Sequence, residues 1–212
     1  MSRIAVIDYG MGNLHSVAKA LERAAPEHQI EVTNDPTKVL AADRIVFPGQ
    51  GAMPDCMREL DMRGLRPALL KAAENKPFLG LCIGLQMLFD HSDEGDVPGL
   101  GILPGRVVRF PKLGMVDAAG NKLKVPHMGW NQVTQSQPHQ VWQGIDDGTR
   151  FYFVHSYFAV PDNATHIAGG SRYPMEFTCA VARNNLFAVQ FHPEKSQAAG
   201  LKLLANFAAW RP

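Results

Sequence analysis

Short apolar runs alternate with helix-like segments along the first half of the chain, and this alternation restricts the fold more than any other feature. Residues 3–7 are an apolar run, and residues 14–25 carry apolar side chains at helical spacing up to Pro26. Residues 44–47 are apolar again before Pro48-Gly49, and residues 54–73 are helix-like with a break expected near Gly64 and Pro67. A third apolar run at 77–81 leads directly into a helical pattern over 83–90. Strands alternating with helices predict βαβ units and a parallel sheet. The second half differs. Residues 106–133 and 149–189 are rich in Val, Phe, Tyr and Thr, punctuated by glycines, Asp146-Asp147 and Asn184-Asn185. That pattern predicts hairpins and mixed or antiparallel strands. A last helix is expected over 196–210, with Leu201, Leu204, Phe207 and Ala208 at helical spacing. No repeat, low-complexity tract or linker divides the chain, so residues 1–212 are expected to form one α/β domain. Its sheet should be mixed and mainly parallel, flanked by helices, with a more antiparallel second half.

Composition narrows the chemistry. A chain of 212 residues that is 46% hydrophobic can bury a core without disulfides or a structural metal. Twenty-one Lys and Arg balance 20 Asp and Glu, with no basic block, so the electrostatic footprint of nucleic acid or an acidic membrane is absent. The apolar run at 3–7 meets Asp8 too early for a signal peptide, and no apolar stretch is long enough to span a bilayer. A cytoplasmic protein is expected. The three cysteines, Cys56, Cys82 and Cys179, are odd in number, widely spaced and without a C-x-x-C pair. That argues against a disulfide framework or a zinc site. Each is then a small core residue or a reagent.

Cys82 has the surroundings of a reagent. Gly80-Leu81-Cys82-Ile83-Gly84 follows an expected strand and opens an expected helix, the context of a nucleophile elbow with cysteine in place of serine. Glycines two residues either side relieve the crowding of so sharp a turn. A helix starting at Ile83 would aim free N–H groups and a partial positive charge at the sulfur, favouring thiolate and able to hold an oxyanion. Taken alone, the pentapeptide reads equally as a core cysteine at a strand–helix junction.

Two further segments bear on it. In Val189-Gln190-Phe191-His192-Pro193-Glu194 an apolar strand halts at His192, because Pro193 cannot continue the ladder. In extended chain His192 and Glu194 share a face, so the carboxylate could hold one ring nitrogen and leave the other for a thiol. A surface His-Pro turn beside a solvated glutamate would explain the pair as well. In Phe47-Pro48-Gly49-Gln50-Gly51-Ala52 two glycines follow a strand, where backbone N–H groups could supply an oxyanion donor or form an ordinary tight turn. Cys82 and His192 both fall at strand ends, where open α/β sheets place their sites. No P-loop is present, and Gly10-Met11-Gly12 lacks the third glycine of a dinucleotide fingerprint.

In this order, Pro48-Gly49-Gln50-Gly51, Gly80-Leu81-Cys82-Ile83-Gly84-Leu85-Gln86 and Phe191-His192-Pro193-Glu194 resemble the class I, triad-type glutamine amidotransferases over nearly the whole chain. The resemblance implies a flavodoxin-like core of mainly parallel strands flanked by helices. Four stretches resemble one branch of that family, the glutaminases that feed a cyclase of histidine biosynthesis. They are residues 8–14 (DYGMGNL), 127–131 (HMGWN), 152–157 (YFVHSY), and Lys195 between Glu194 and Ser196. Relatives serving anthranilate and carbamoyl phosphate synthesis usually run directly from Glu to Ser, and the anthranilate type often carries His where Leu85 stands. Two features depart from the pattern: Gln50 replaces a more usual Val, and residues 114–125 make a long, polar hairpin.

Roles follow as what the resemblance implies. Cys82 attacks the glutamine carboxamide, His192 moves the proton and later activates water, and Glu194 orients His192. The oxyanion is held by the Ile83 N–H and an N–H from Gly49, Gln50 or Gly51. Gln86, Glu94, Ser156 and Tyr157 hold the α-amino and α-carboxylate ends of L-glutamine, with Glu94 suited to the ammonium. The partner is a (β/α)8-barrel cyclase joined as a heterodimer and fed ammonia through a tunnel. It forms imidazole glycerol phosphate and aminoimidazole carboxamide ribotide. Asn13, Trp130 and Lys195 lie near the subunit contact, although Trp130 could equally be a core anchor. No metal or organic cofactor is implied. The competing readings are a glutaminase serving another synthase, a cysteine peptidase, and a non-catalytic α/β interaction module.

Overall fold

A computed structural model describes residues 2–111, 113–116 and 120–212. Strand β1 (Arg3–Ile7), helix α1 (Leu14–Ala24), strand β2 (Gln29–Thr33), helix α2 (Pro36–Ala41) and strand β3 (Arg44–Gly49) come first. Two helices, α3 (Met53–Met62) and α4 (Arg66–Asn75), separate β3 from strand β4 (Phe78–Cys82). The expected break falls between them, where Gly64 takes φ +64°. Helix α5 (Ile83–Gln86) and strands β5 (Phe89–Ser92), β6 (Val97–Pro98) and β7 (Leu103–Arg109) follow. The second half holds β8 (His127–Gln132), β9 (Thr134–Gln135), β10 (Arg150–His155), β11 (Tyr157–Pro161), β12 (Ile167–Arg172), β13 (Glu176–Arg183) and β14 (Leu186–Val189). Helix α6 (Gln197–Ala209) closes the chain.

The main sheet runs β2-β1-β3-β4-β14-β13-β11-β7-β5-β6. Its first five strands are mutually parallel, in a flavodoxin-like order, and β13, β11 and β7 continue it antiparallel. Strands β3 and β4 are buried almost throughout, as parallel strands covered on both faces must be. Alternate side chains divide between two apolar layers. Val46, Leu79 and Leu81 join Leu21 of α1 and Phe207 of α6 on one face. Ile45, Phe47 and Phe78 join Leu60 of α3 and Leu69 of α4 on the other. Burying each such side chain stabilises the fold by roughly 1.5–3 kcal/mol.

This register assembles one edge of the sheet. Gly49 pairs with Cys82, and Val189 pairs with Leu81. The C-terminal ends of β3, β4 and β14 therefore lie side by side, and the residues after each end share a crevice.

The structure corrects one element. The helix expected over 83–90 stops at Gln86, and β5 begins at Phe89. The carbonyls of Met87, Leu88, Phe89 and Asp90 accept N–H groups from Leu100, Ile102, Gly101 and Gly99 at 2.8–3.2 Å, so these groups pair sideways rather than along a helix. Of the hairpin expected over 114–125, Val116 and Lys122 form an antiparallel bridge, and residues 117–119 lie outside the described residues. Strands β8 and β10 form a separate two-stranded ribbon.

Candidate active site

Cys82 ends β4 with φ +54° and ψ −110°, a conformation that side chains other than glycine rarely adopt. Held strain of this kind costs on the order of 1–3 kcal/mol and persists only where the surroundings enforce it. Here they do. A Cβ on Gly84 would lie 1.9 Å from the Phe47 carbonyl oxygen, and one on Gly80 would lie 2.9 Å from both Ala188 Cβ and Gly84 O. Glycine at both positions lets α5 turn back onto β3 directly behind Cys82. Because α5 is a single turn, the long-helix charge expected behind the sulfur is absent. What remains is the Ile83 N–H at the first helical position, which has no acceptor within the helix.

His192 follows β14 at the same edge. Its backbone N–H donates to Tyr152 O at 2.9 Å, and Ser196 Oγ donates to its carbonyl at 2.6 Å. Its Nδ1 lies 2.9 Å from Glu194 Oε1, with only 6% and 2% of the two side chains exposed. The expected shared face of an extended strand is replaced by a 3-10 turn over Pro193–Lys195, which swings the carboxylate under the ring. With Nδ1 held, the other ring nitrogen is left for Cys82, its hydrogen-bond and charge partner. Burial alone would lower the imidazole pKa, but the Cys82 thiolate and the Glu194 carboxylate outweigh it and push the ring up to about 10. The imidazole is thus held in its protonated form between the sulfur and the carboxylate.

Gln50 and Gly51 are exposed at the end of β3, Gly51 with φ +114°. Gly49 is packed so closely that a Cβ there would meet Tyr9 Oη at 2.5 Å and Ile83 Cβ at 2.8 Å. Gly49 and Ile83 are thus in contact.

Beside Cys82 and His192 a cleft of about 310 Å3 is lined by Gln86, Glu94, Ser156 and Tyr157. That volume suits a ligand the size of an amino acid. Glu94 Oε2 accepts from the Met53 N–H at 2.9 Å, which ties this half-buried acid to α3 rather than leaving it a solvated loop residue. Gln86 is 1% exposed and donates to Tyr157 O at 3.0 Å, while its Oε1 is buried with no partner among the described residues. Asn13 caps α1 without a side-chain cap bond and faces a small hollow shared with Gly49, Gln50, His192 and Glu194. Lys195 lines the main cleft. Trp130 stands apart on the ribbon, 44% exposed, so it is not a core anchor.

Two residues given no role from the sequence also belong here. Gln190 is fully buried, with Nε2 3.7 Å from Cys82 Sγ. A lone glutamine inside the apolar run before His192 is the signal that could have marked it. His155 lines the cleft, and burial pushes its imidazole down to about 3, so it is neutral. Among the described residues no group of three or more His, Cys, Asp or Glu is arranged to hold a metal ion.

A family model described as glutamine amidotransferase class-I matches residues 5–209. The chain is 66% identical to imidazole glycerol phosphate synthase subunit HisH of Aromatoleum aromaticum over 212 residues, the whole of both chains. It is 64% identical to the protein of the same description from Thiobacillus denitrificans over 209 residues, 99% of this chain and 92% of that one. A solved structure described as glutamine amidotransferase aligns with a TM-score of 0.72 at 16% identity, covering 98% of this chain and 99% of that one. PurLQS from Thermotoga maritima aligns at 0.71 and 17% identity, covering 98% of each. At such identities the two structures speak for the fold alone.

Proposed function

The chain belongs to the class-I glutamine amidotransferases, and from that premise we propose that Cys82, His192 and Glu194 are the triad with which it hydrolyses glutamine. Its activity is that of the glutaminase subunit of imidazole glycerol phosphate synthase. It releases ammonia from L-glutamine and passes it to a cyclase subunit in histidine biosynthesis. The observation that carries the residue assignment is the strained Cys82 elbow facing a His192 whose second nitrogen is tied to Glu194 at 2.9 Å.

The chemistry follows from those positions. Cys82 Sγ, as thiolate, attacks the side-chain carbonyl carbon of glutamine, and the carbonyl π electrons move to oxygen. The Ile83 N–H and an N–H of the Gly49–Gln50–Gly51 loop stabilise that oxyanion. The His192 imidazolium gives its proton to the amide nitrogen as the C–N bond breaks, leaving a glutamyl thioester and ammonia. Neutral His192 then takes a proton from water, whose oxygen attacks the thioester. Glutamate leaves, and the thiolate–imidazolium pair is restored. Glu194 keeps the ring oriented and stabilises its positive charge. The Glu94 carboxylate and the unpartnered Gln86 Oε1 suit the substrate ammonium, while Ser156 and Tyr157, which line the same cleft, take the carboxylate end in this reading.

The partner in this reading is a (β/α)8 barrel that binds over the cleft as the second half of a heterodimer. It uses the ammonia to form imidazole glycerol phosphate and aminoimidazole carboxamide ribotide. Asn13 and Lys195, beside the triad, and exposed Trp130 are the contact residues in this proposal. The continuous main sheet supports treating residues 1–212 as one domain. No helix among the described residues is long and apolar enough to cross a membrane, and all three cysteines are free. A reaction that needs a reduced thiol fits the cytoplasm.

The test is Cys82→Ala in the complex with the cyclase subunit. Glutamate release should vanish, and supplied ammonium salt should restore synthesis. Glutamate release at the wild-type rate would overturn the assignment.

A further inference from the structure

The groups around the nucleophile fix one another's orientation by elimination. Tyr157 O can only accept, and it receives Gln86 Nε2 at 3.0 Å and His155 Nδ1 at 2.8 Å. The nitrogen of the Gln86 amide is therefore identified. Its second N–H donates to Gln190 Oε1 at 2.9 Å. With its oxygen committed there, the Gln190 amide must present its nitrogen to Cys82 Sγ, 3.7 Å away. Turning the amide over would set N–H against N–H on one side and an oxygen against the sulfur on the other. Gln86 is 1% exposed and Gln190 0%, so water cannot relieve that mismatch. The position is expensive for a polar side chain. Val189 and Phe191, on either side, are fully buried apolar residues, and a leucine would fill the site without needing partners.

We infer that Gln190 is a further residue of the glutaminase reaction, whose amide donates an N–H to Cys82 Sγ and stabilises it as thiolate, locked in that orientation by Gln86 and the Tyr157 carbonyl. This rests on the reading of Cys82 as the nucleophile. His192 can take the thiol proton, but Gln190 can only donate, so its contribution is to the charge on sulfur rather than to proton transfer. The need for a donor is visible in the geometry. The Val154 carbonyl oxygen lies 4.0 Å from Sγ, where it suits the thiol and opposes the thiolate. Because the same Gln86 amide lines the substrate cleft, the lock also ties the sulfur's environment to the place where glutamine binds.

The titratable groups acting on the sulfur are His192, Tyr9 and Cys56, and Glu94, His155, Tyr157 and Lys195 also line the cleft; a Gln190→Met substitution alters none of them. Methionine keeps the length of the side chain and removes the donor. The measurement is the pH dependence of Cys82 alkylation by iodoacetamide in the full chain, read by peptide mass spectrometry. Cys56 and Cys179 are fully buried, with Cys56 pushed up to about 11 and Cys179 raised further, so Cys82 labels selectively. In Gln190→Met the alkylation midpoint should rise by about one pH unit, with kcat down about tenfold and KM changed less than about twofold. If that variant does not fold, Gln86→Met carries the same test, because it frees the Gln190 amide to turn and should raise the midpoint by a smaller step. An unmoved midpoint in the folded variant, with Cys82→Ala inactive, would overturn this inference alone. Wild-type turnover by Cys82→Ala would instead overturn the reading beneath it.

Discussion

Gly49 and Cys82 are register partners on adjacent parallel strands, so the residue that ends β3 and the residue that ends β4 stand side by side at one edge of the sheet. That pairing brings the Gly49–Gln50–Gly51 loop to Cys82 through backbone hydrogen bonding, before any side chain takes part. The closeness of β3 also explains the glycine at position 84, where a Cβ would meet the Phe47 carbonyl.

Gly84→Ala should therefore destabilise the fold and not only slow the reaction. The added Cβ would lie 1.9 Å from the Phe47 carbonyl, a backbone atom of a central buried strand that cannot yield. Overpacking of this kind costs about 1–3 kcal/mol, so the urea midpoint should fall and glutaminase activity with it. A midpoint equal to wild type would mean that α5 can shift away from β3, and the account of the elbow would be wrong.

Glu194→Gln probes the orientation of His192. The amide can still hold Nδ1 but no longer balances the ring's charge, so kcat should fall by about 10²-fold or more with the fold intact. The same ring gives a signature in stability. With Cys82 and Glu194 holding it up to about 10, above the 6.5 of a free imidazole, its protonation favours the folded state. That contribution is fully present below about pH 6.5 and is lost as pH rises toward 10. Urea midpoints measured across that window should decline in the wild type and decline less in Glu194→Gln.

The opposite window belongs to other histidines. Burial pushes His127 and His139 down to about 4 and His155 to about 3, so the folded state keeps all three neutral while the unfolded chain protonates them below about pH 6.5. Stability from this source is present above that pH and is lost as pH falls toward 4, by at most about 1.4 kcal/mol per unit for each proton. His127 is stacked between Phe153 and Tyr173, at ring separations of 5.0 and 4.0 Å. His127→Phe should keep that packing and make the acid loss shallower. An unchanged slope between pH 6.5 and 4 would remove His127 from the account.

What the sequence made legible, and what it did not, follows from the range of the interactions. Central strands buried on both faces, such as β3 and β4, announce themselves as unbroken apolar runs, and the Cys82 turn is marked by its two glycines. Strand β2, Gln29–Thr33, stays out of the alternation because an edge strand buries only one of its five residues fully, and its neighbour α2 is only six residues long. The true end of α5 was hidden because it depends on the chain at 99–102 capturing the carbonyls of 87–90, a pairing no local pattern reports. His192 and Glu194 were legible as neighbours, yet the 3-10 turn that brings them together is a consequence of Pro193 and was not anticipated. Gln190 went unassigned for a similar reason. Its meaning lies in Gln86, 104 residues away in sequence, and in Cys82, 108 away.

The ribbon of β8 and β10 carries the last expectation. Along β8 alternate residues point to opposite faces, which puts His127 in the core and leaves Met128 and Trp130 outward, 62% and 44% exposed. Two large apolar side chains adjacent on one exposed face are characteristic of a protein contact. Tyr152 on the paired strand supports the Trp130 ring edge-on, with centroids 6.0 Å apart, so the indole is held in place before any partner arrives. A pre-ordered aromatic loses little side-chain freedom on binding and makes a strong anchor. Trp130→Ala should weaken association with the cyclase subunit by about tenfold or more, measured by titration calorimetry on the two purified subunits. Melting of the isolated chain should change little, because the indole is not part of either apolar layer. Undiminished affinity in the variant would move the contact off the ribbon and onto the cleft rim around Asn13 and Lys195.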